Sequence, residues 1–182
     1  MHNRDFDEFV RRQQQPPPEI AATDWEKECD EWIQHLKELY TLIDSFLAKY
    51  VSSRQIQREY RTIELSEEYI GSYKVQEMVL KVGRQTLHLE PIGTVLIGSK
   101  GRVDLVGPAG KTQLLLVDSN AKRPSDLIRV EVGTGGKTPA KIDKPAKQIK
   151  WEWRIATRAP ERQFVELSQE AFFQLIMELA NG

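Results

Sequence analysis

The stretch Gly101–Asp118, GRVDLVGPAGKTQLLLVD, decides the fold because it contains two short apolar runs separated by a tight turn. Gly107-Pro108-Ala109-Gly110 fits a type I turn, with proline at the second position and glycine at the fourth. This turn pairs Asp104 with Gln113 and brings the apolar residues of both runs to one face. That face contains Val103, Leu105, Leu114 and Leu116. The stretch therefore predicts an antiparallel β-hairpin.

One motif within the stretch is similar to a phosphate-binding loop. Gly110-Lys111-Thr112 matches the end of that motif, but the position of the motif's first glycine is Leu105 here. A phosphate-binding loop also needs a following helix, whose first amides bind the phosphate. Because a short apolar run follows Thr112 instead, we do not expect nucleotide binding at this turn.

A pair of acidic residues in the stretch, Asp104 and Asp118, resembles the PD-(D/E)xK nucleases over the length of this hairpin only. The resemblance implies that both carboxylates bind Mg²⁺, which prefers oxygen ligands. The family's lysine, two residues after the second acid, is Asn120 here. The predicted hairpin also pairs Asp118 with Ser99, which sets the two carboxylates about 17 Å apart on opposite faces. The hairpin is therefore favoured over the nuclease.

From about residue 58 onward the hydrophobic pattern has a period of two, interrupted by glycines that leave only short connections. Such connections favour antiparallel neighbours, and the lack of intervening helices argues against a parallel sheet. The predicted strands are Glu59–Leu65, Ser72–Val82, Gln85–Glu90, Thr94–Ile97, Gly101–Val106, Thr112–Asp118, Leu127–Val132 and Ile149–Thr157. The predicted class is α+β, with a predominantly antiparallel curled sheet or small barrel.

Residues 23–54 are predicted to form a long amphipathic helix before the sheet. Thr23 and Glu26 have the spacing of a capping box. Apolar residues recur at alternating spacings of four and three, beside a further column of Ile33, Tyr40 and Leu47, which suits a helix on a core or in a bundle. Packing on its own domain and binding to a partner or a second copy both remain open. The residues that would bind a partner, called the helix stripe below, are Trp25, Trp32, Leu36, Leu39, Ile43 and Phe46.

The two ends of the chain have different predicted structures. Residues 1–22 include Gln13-Gln-Gln-Pro-Pro-Pro18 and are predicted to be a disordered tail, because prolines lack the amide donor that helices and sheets need. The β-domain is predicted over 55–182, and a C-terminal helix over 168–181 closes it. Ser168 suits the N-cap of that helix, and Leu167 and Phe172 have the spacing of a hydrophobic staple.

A basic loop is predicted over 133–148, because lysines recur there every three or four residues among glycines and prolines. Long loops of this kind are often functional. Two tryptophans on one face of the following strand are a candidate stacking platform for bases, although they also suit the core. The residues predicted to contact nucleic acid or an acidic partner are Lys137, Lys141, Lys144, Lys147, Lys150, Trp151 and Trp153.

Composition limits the remaining classes of function. The net charge is −1, so no global attraction to nucleic acid or membrane is expected. A single cysteine, Cys29, excludes an internal disulfide and fits a reducing compartment, and no secretory signal or membrane span is evident. His88 and Glu90 share one strand face, which a solvated surface explains. We therefore predict a cytoplasmic protein with no cofactor, metal site or small-molecule substrate evident.

The predicted function is a non-enzymatic protein-binding or adaptor module that assembles with a partner protein, or with itself, through the long helix. The first alternative is a nucleic-acid-binding module that uses the basic loop and the tryptophan face. A Mg-dependent nuclease is the third.

Overall fold

A computed structural model describes residues 3–14, 23–94, 98–127, 149–158 and 160–181 and confirms the α+β class. Its strands form one seven-stranded sheet in the order β1 to β7, in which every strand pairs antiparallel with its neighbour in sequence. The sheet is not closed into a barrel. In chain order the elements are α1 (Asn3–Gln14), α2 (Trp25–Ser52), β1 (Ile56–Glu67), β2 (Gly71–Val82), β3 (Gln85–Gly93), β4 (Ser99–Gly107), β5 (Gly110–Asp118), a 3-10 helix (Pro124–Leu127), β6 (Trp151–Ala156), β7 (Phe164–Glu166) and α3 (Gln169–Ala180).

The hairpin predicted from Gly101–Asp118 is strands β4 and β5. Gly107 pairs with Gly110 across the turn, and Asp104 faces Gln113, as predicted. Near the other end a register shift between Ser99 and Gly101 makes Ser99 face Val117 instead of Asp118. The four predicted core residues, Val103, Leu105, Leu114 and Leu116, are at most 1% exposed.

Helix α2 begins one residue later than the predicted capping box requires. Asp24 is the N-cap, and its carboxylate accepts a hydrogen bond from the Lys27 amide at 3.1 Å. Thr23 is therefore not the cap, because the adjacent aspartate offers an equally suitable acceptor one residue closer to the first turn. The helix continues to Ser52.

The helix lies on one face of the sheet and contacts it very closely at β4. A Cβ atom added to Gly101 would lie 2.2 Å from the ring of Trp32, so only glycine fits there without displacement. The Trp32 ring also contacts the ring of Trp153, at 6.1 Å between centroids. Glycine on the strand thus lets a large aromatic side chain of the helix fill the core.

Helix α3 covers the turn between β4 and β5. Ser168 is its N-cap and accepts a hydrogen bond from the Ala171 amide at 3.2 Å, as predicted. Leu167 and Phe172, the predicted staple, are both buried in the main core. The Leu179 carbonyl accepts a hydrogen bond from the Ala109 amide at 2.9 Å, which ties the end of the helix to the hairpin.

Several elements differ from the sequence expectations or lie outside the described residues. Asn3–Gln14, within the predicted tail, is helical, with Phe6 and Phe9 on one side at 6.4 Å between ring centroids. Strand β7 was not predicted, because three residues are too short to show a periodicity. Residues 95–97 and 128–132, which belong to two predicted strands, lie outside the described residues. No helix of the described part is long and apolar enough to cross a membrane.

Candidate functional site

The two faces of the sheet carry different side chains. The helix face packs against α2 and α3 and is apolar, with Leu89, Leu105 and Leu114 at its centre. The opposite face, called the far face below, contains two rows of directly paired residues in neighbouring strands. The rows are Val79, His88 and Val106, and Glu90, Asp104 and Gln113. Polar groups therefore concentrate on the far face.

Asp104 is buried on the far face although its surroundings are polar. Its carboxylate accepts hydrogen bonds from Nε and Nη2 of Arg102 at 2.6 and 2.7 Å, and Lys111 Nζ lies 3.2 Å from its Oδ2. The residue is 1% exposed. Two cations thus neutralise the one buried carboxylate, as burial of a charge requires.

A second polar cluster lies beside this pair. His88 Nδ1 is 2.9 Å from Oε1 of Glu77, and one ligand atom from each of Glu77, His88 and Glu90 lies within 4.8 Å of the others. The sequence prediction considered only His88 and Glu90. The turn at Gly83 and Arg84, which pairs Val82 with Gln85, was the signal that could have placed Glu77 next to Glu90.

A basic cleft of about 440 Å³ opens between β5, the 3-10 helix and the connection from β6 to β7. Its cationic residues are Lys111, Arg158 and Arg162, and none of the described residues that line it is acidic. Arg158 Nη2 donates a hydrogen bond to the Lys111 carbonyl at 2.9 Å, which fixes one guanidinium at the edge. Apolar side chains form the floor, and they include Leu115, Leu127 and Phe164.

Two more cations flank the cleft on the segment after β5. Lys122 and Arg123 are exposed, and the Lys122 carbonyl accepts a hydrogen bond from the Phe164 amide at 2.8 Å. Asp126 accepts hydrogen bonds from the amides of Lys122 and Arg123, both at 2.9 Å. These bonds lower the pKa of Asp126 and engage its carboxylate with the backbone. Lys122 and Arg123 thus add two positive charges beside the cleft, against the single negative charge of Asp126.

The predicted helix stripe packs inside its own chain. Trp32, Leu36, Leu39 and Ile43 are at most 3% exposed and belong to the main core. Phe46 contacts Phe172 of α3 at 6.1 Å between ring centroids, and Trp25 stacks on Tyr69 at 5.1 Å. Of the two alternatives left open by the sequence, the structure has the helix packed on its own domain. A partner would reach the four buried side chains only if α2 left the sheet, whereas Trp25 and Phe46 are half-buried.

Most lysines predicted to contact nucleic acid cannot be compared with the structure. Lys137, Lys141, Lys144 and Lys147 lie outside the described residues. Lys150 is exposed and pairs with Glu152 at 2.7 Å.

The tryptophans of β6 are not an exposed stacking platform. Trp153 Nε1 donates a hydrogen bond to the His35 carbonyl of α2 at 3.2 Å, and Trp151 has the Lys100 ammonium 5.6 Å from its ring centroid. Lys100 also pairs with Glu28 and Glu31 of α2, at 3.2 and 2.8 Å. Trp153 thus belongs to the contact between the sheet and α2, and Trp151 lies beside the lysine that joins them.

The nuclease geometry is not formed by the predicted pair of acids. Asp104 is held by Arg102 and Lys111, as described above. Asp118 Oδ1 accepts hydrogen bonds from the amide and the side chain of Asn120, at 2.9 and 3.0 Å. The hairpin register separates the two carboxylates, so they do not converge on one ion.

Comparisons of this chain with protein-family models, with curated proteins and with solved structures found no match. Function is therefore inferred from the chemistry of the site itself.

Proposed function

We propose that this protein is a non-enzymatic binding module, and that it binds nucleic acid through the phosphate groups at the basic cleft. The observation that carries the proposal is the convergence of Lys111, Arg158 and Arg162 on a cleft whose described lining contains no acidic residue. Lys111 also pairs with Asp104, but Arg158 and Arg162 form no ion pair with a described residue, so both guanidinium groups are available to an anionic ligand.

The chemistry of the cleft suits phosphate. Arginine presents a planar fork of donors that matches phosphate oxygens in a bidentate manner, and lysine adds a point charge. A cleft of about 440 Å³ is within the size range of sites for small ligands and can hold one nucleotide unit. Gln113 and Gln163 line the same cleft and supply amide groups for hydrogen bonds.

The neighbouring sequence extends the positive charge. Leu127 lines the cleft, and Lys137, Lys141, Lys144 and Lys147 follow it in sequence, outside the described residues. Additional phosphate contacts from these lysines would raise affinity without adding sequence specificity. The proposal thus keeps the predicted basic loop but replaces the tryptophan platform with the cleft.

A protein partner bound through the helix stripe is less well supported, because the stripe forms part of the core. Self-association through the long helix stays a prediction of the sequence, as does a cytoplasmic location. Light scattering of the full chain tests the first of these. A mass equal to one chain across a wide concentration range would contradict self-association.

The direct test is a salt titration of binding to labelled oligonucleotides, measured by fluorescence anisotropy. We expect single-stranded DNA or RNA to bind at about 50 mM salt and to weaken steeply toward about 200 mM. The double substitution Arg158→Ala and Arg162→Ala should reduce the slope of log K against log salt by about 1.4, since each phosphate contact on a single strand contributes roughly 0.7.

The matched control changes two exposed cations elsewhere, Lys74→Ala and Arg84→Ala, and should leave the slope unchanged. Absence of binding to any oligonucleotide at the lowest salt would refute the proposal. Binding of poly-glutamate with equal or greater affinity than the oligonucleotide would also overturn it, and would indicate an acidic protein partner.

A further inference from the structure

The cluster of Glu77, His88 and Glu90 has an arrangement that the basic cleft does not explain. Glu77 lies on β2, and the other two residues lie on β3, where Met78 faces Leu89 at the end of the β2–β3 ladder. Glu77 and Glu90 therefore come side by side just beyond the last pair. One ligand atom from each of the three side chains lies within 4.8 Å of the others.

We propose that Glu77, His88 and Glu90 bind a divalent transition-metal ion. One imidazole nitrogen and two carboxylate oxygens on one side of a sheet can occupy three positions of a coordination sphere and leave the others to water. The 2.9 Å between His88 Nδ1 and Glu77 Oε1 is a hydrogen-bond distance, and the two atoms would have to separate by only about 0.5 Å to become adjacent ligands of a tetrahedral ion bound at about 2.1 Å. The site is independent of the proposed nucleic-acid cleft.

The charges around the cluster support a cation there. Two carboxylates placed side by side on neighbouring strands repel each other, and here they have only His88 between them. Of the residues that the structure describes, none forms a hydrogen bond or ion pair with Glu90. A metal ion would neutralise both carboxylates at once, which a single protonated imidazole cannot do.

The nearest cations of the described sheet are engaged elsewhere. Arg61, directly opposite Glu77 on β1, pairs with Glu59 at 3.1 Å, and Lys81 also pairs with Glu59, at 3.9 Å. On the other side of Glu90 lies Asp104. Arg102 and Lys111 form their ion pairs with Asp104 and not with Glu90. The two glutamates are thus the acidic groups of this part of the sheet that lack a lysine or arginine partner.

The ligand set indicates which ions fit. Mixed imidazole and carboxylate ligands suit Zn²⁺, Co²⁺ and Mn²⁺, whereas Mg²⁺ and Ca²⁺ prefer oxygen ligands alone. The side chains of His88 and Glu77 are 32% and 12% exposed, so an ion can enter from solvent while two of its ligands are held by the sheet. We therefore expect Zn²⁺ and Co²⁺ to bind more tightly than Mg²⁺.

The experiment uses the full, untagged chain and titrates Zn²⁺ and Co²⁺ in competition with a chromophoric chelator. We expect one high-affinity ion per chain, visible absorption bands of bound Co²⁺, and no comparable binding of Mg²⁺. His88→Ala and Glu90→Gln should each weaken Zn²⁺ binding by about tenfold or more, because each removes a direct ligand. Circular dichroism confirms that each variant is folded before it is titrated.

A matched control exists on α2. His35 Nδ1 lies 3.1 Å from Oε2 of Glu38. This pair has the same kind of histidine–glutamate contact as His88 and Glu77, but it lacks a second glutamate. His35→Ala should leave Zn²⁺ affinity unchanged. Undiminished Zn²⁺ binding in folded His88→Ala would overturn the proposal. So would the absence of any Zn²⁺ or Co²⁺ binding at a metal concentration of about 100 μM, which would nearly saturate a site with a dissociation constant of about 1 μM.

Discussion

The helix face and the far face of the sheet both contain fully buried residues, but different interactions bury them. On the helix face, Trp32 and Leu105 are at most 1% exposed within a continuous apolar core. On the far face Asp104 is equally buried, but between a guanidinium and an ammonium group. On the helix face, apolar area removed from water stabilises the folded state. On the far face, the buried carboxylate needs paired cations to offset the cost of its desolvation.

The two faces therefore have different expected roles, packing on the helix face and ligand binding on the far face. The helix face uses its apolar and aromatic groups for packing, including nearly all of the stripe that the sequence offered for a partner. The far face retains Arg158 and Arg162, which form no ion pair with a described residue, and the two glutamates beside His88, which have no lysine or arginine partner among the described residues. Ligand binding is therefore expected on the far face, whereas substitutions on the helix face should mainly lower stability.

The largest expected effect is on the helix face. Trp32→Ala should lower the free energy of unfolding by about 3–5 kcal/mol, because it removes a large buried ring and leaves a cavity beside Gly101. Urea denaturation followed by circular dichroism measures the change. The control is Met177→Ala on the exposed side of α3, 57% exposed, which should change stability by less than about 0.5 kcal/mol. Equal effects of the two substitutions would contradict the assigned core.

A smaller loss of stability is expected when a side chain is added at Gly101, where the strand contacts Trp32. Gly101→Ala should destabilise the protein by about 1–3 kcal/mol, since its Cβ would lie against the Trp32 ring. In a background of Trp32→Leu the same change should cost much less, because the smaller side chain leaves space. A double-mutant cycle in urea measures this coupling. Strictly additive effects would show that the two residues do not touch.

On the far face, Asp104→Asn should cost about 1–2 kcal/mol. The substitution leaves Arg102 and Lys111 without their shared carboxylate, but both side chains can be rehydrated because they are 20% and 59% exposed. Glu152→Gln, which removes a more exposed carboxylate paired with Lys150 and Arg154, should change stability by less than about 1 kcal/mol. The ranking of the two midpoints in urea is the measurement. A larger loss for Glu152→Gln would mean that Asp104 is not the buried anchor of this face.

The smallest effect, absent at neutral pH, concerns Tyr40 of α2 and Tyr60 of β1. Tyr40 donates a hydrogen bond to the Gln76 carbonyl at 2.6 Å, and burial raises the pKa of this hydroxyl well above its ordinary value. Burial, followed by the nearby Asp44 carboxylate, also raises the pKa of Tyr60, to about 12. In the unfolded chain these tyrosines ionise near pH 10, so the folded state holds more protons above that pH. Stability should therefore be constant up to about pH 10 and fall as the pH rises further.

Urea midpoints between pH 8 and pH 11 measure this alkaline loss. Tyr40→Phe should make the decline shallower, because one of the retained protons is no longer present. A decline that is unchanged in Tyr40→Phe would show that the Tyr40 hydroxyl is accessible to solvent in the folded protein.

Much of the fold was predictable because its determinants are local. The turn at Gly107–Gly110 and the apolar alternation around it were enough to predict that Asp104 faces Gln113. Ser168 and Leu167 likewise marked the start of α3. The register shift between Ser99 and Gly101 was not predictable from the turn, and it lies where the strand packs against Trp32, a residue far away in the sequence.

The candidate sites were predictable only in part, for a different reason. His88 and Glu90 were noticed because they are close in sequence, and the lysine-rich segment was noticed from its composition. Arg158 and Arg162 were missed, since nothing in Arg158–Arg162 distinguishes them from ordinary surface arginines. Their significance appears only when the connection from β6 to β7 folds back over Lys111.

By itself the sequence determined the α+β class, the pairing of β4 with β5, and the apolar face of α2, because turn residues and hydrophobic periods act between near neighbours. Tertiary structure alone decided that α2 buries its stripe against its own sheet. It also decided which polar groups meet: Glu77 with His88, 11 positions apart, and Arg158 with Lys111, 47 positions apart. Polar side chains leave no periodic signal of their partners, so only the register and connections of the folded sheet bring these groups together.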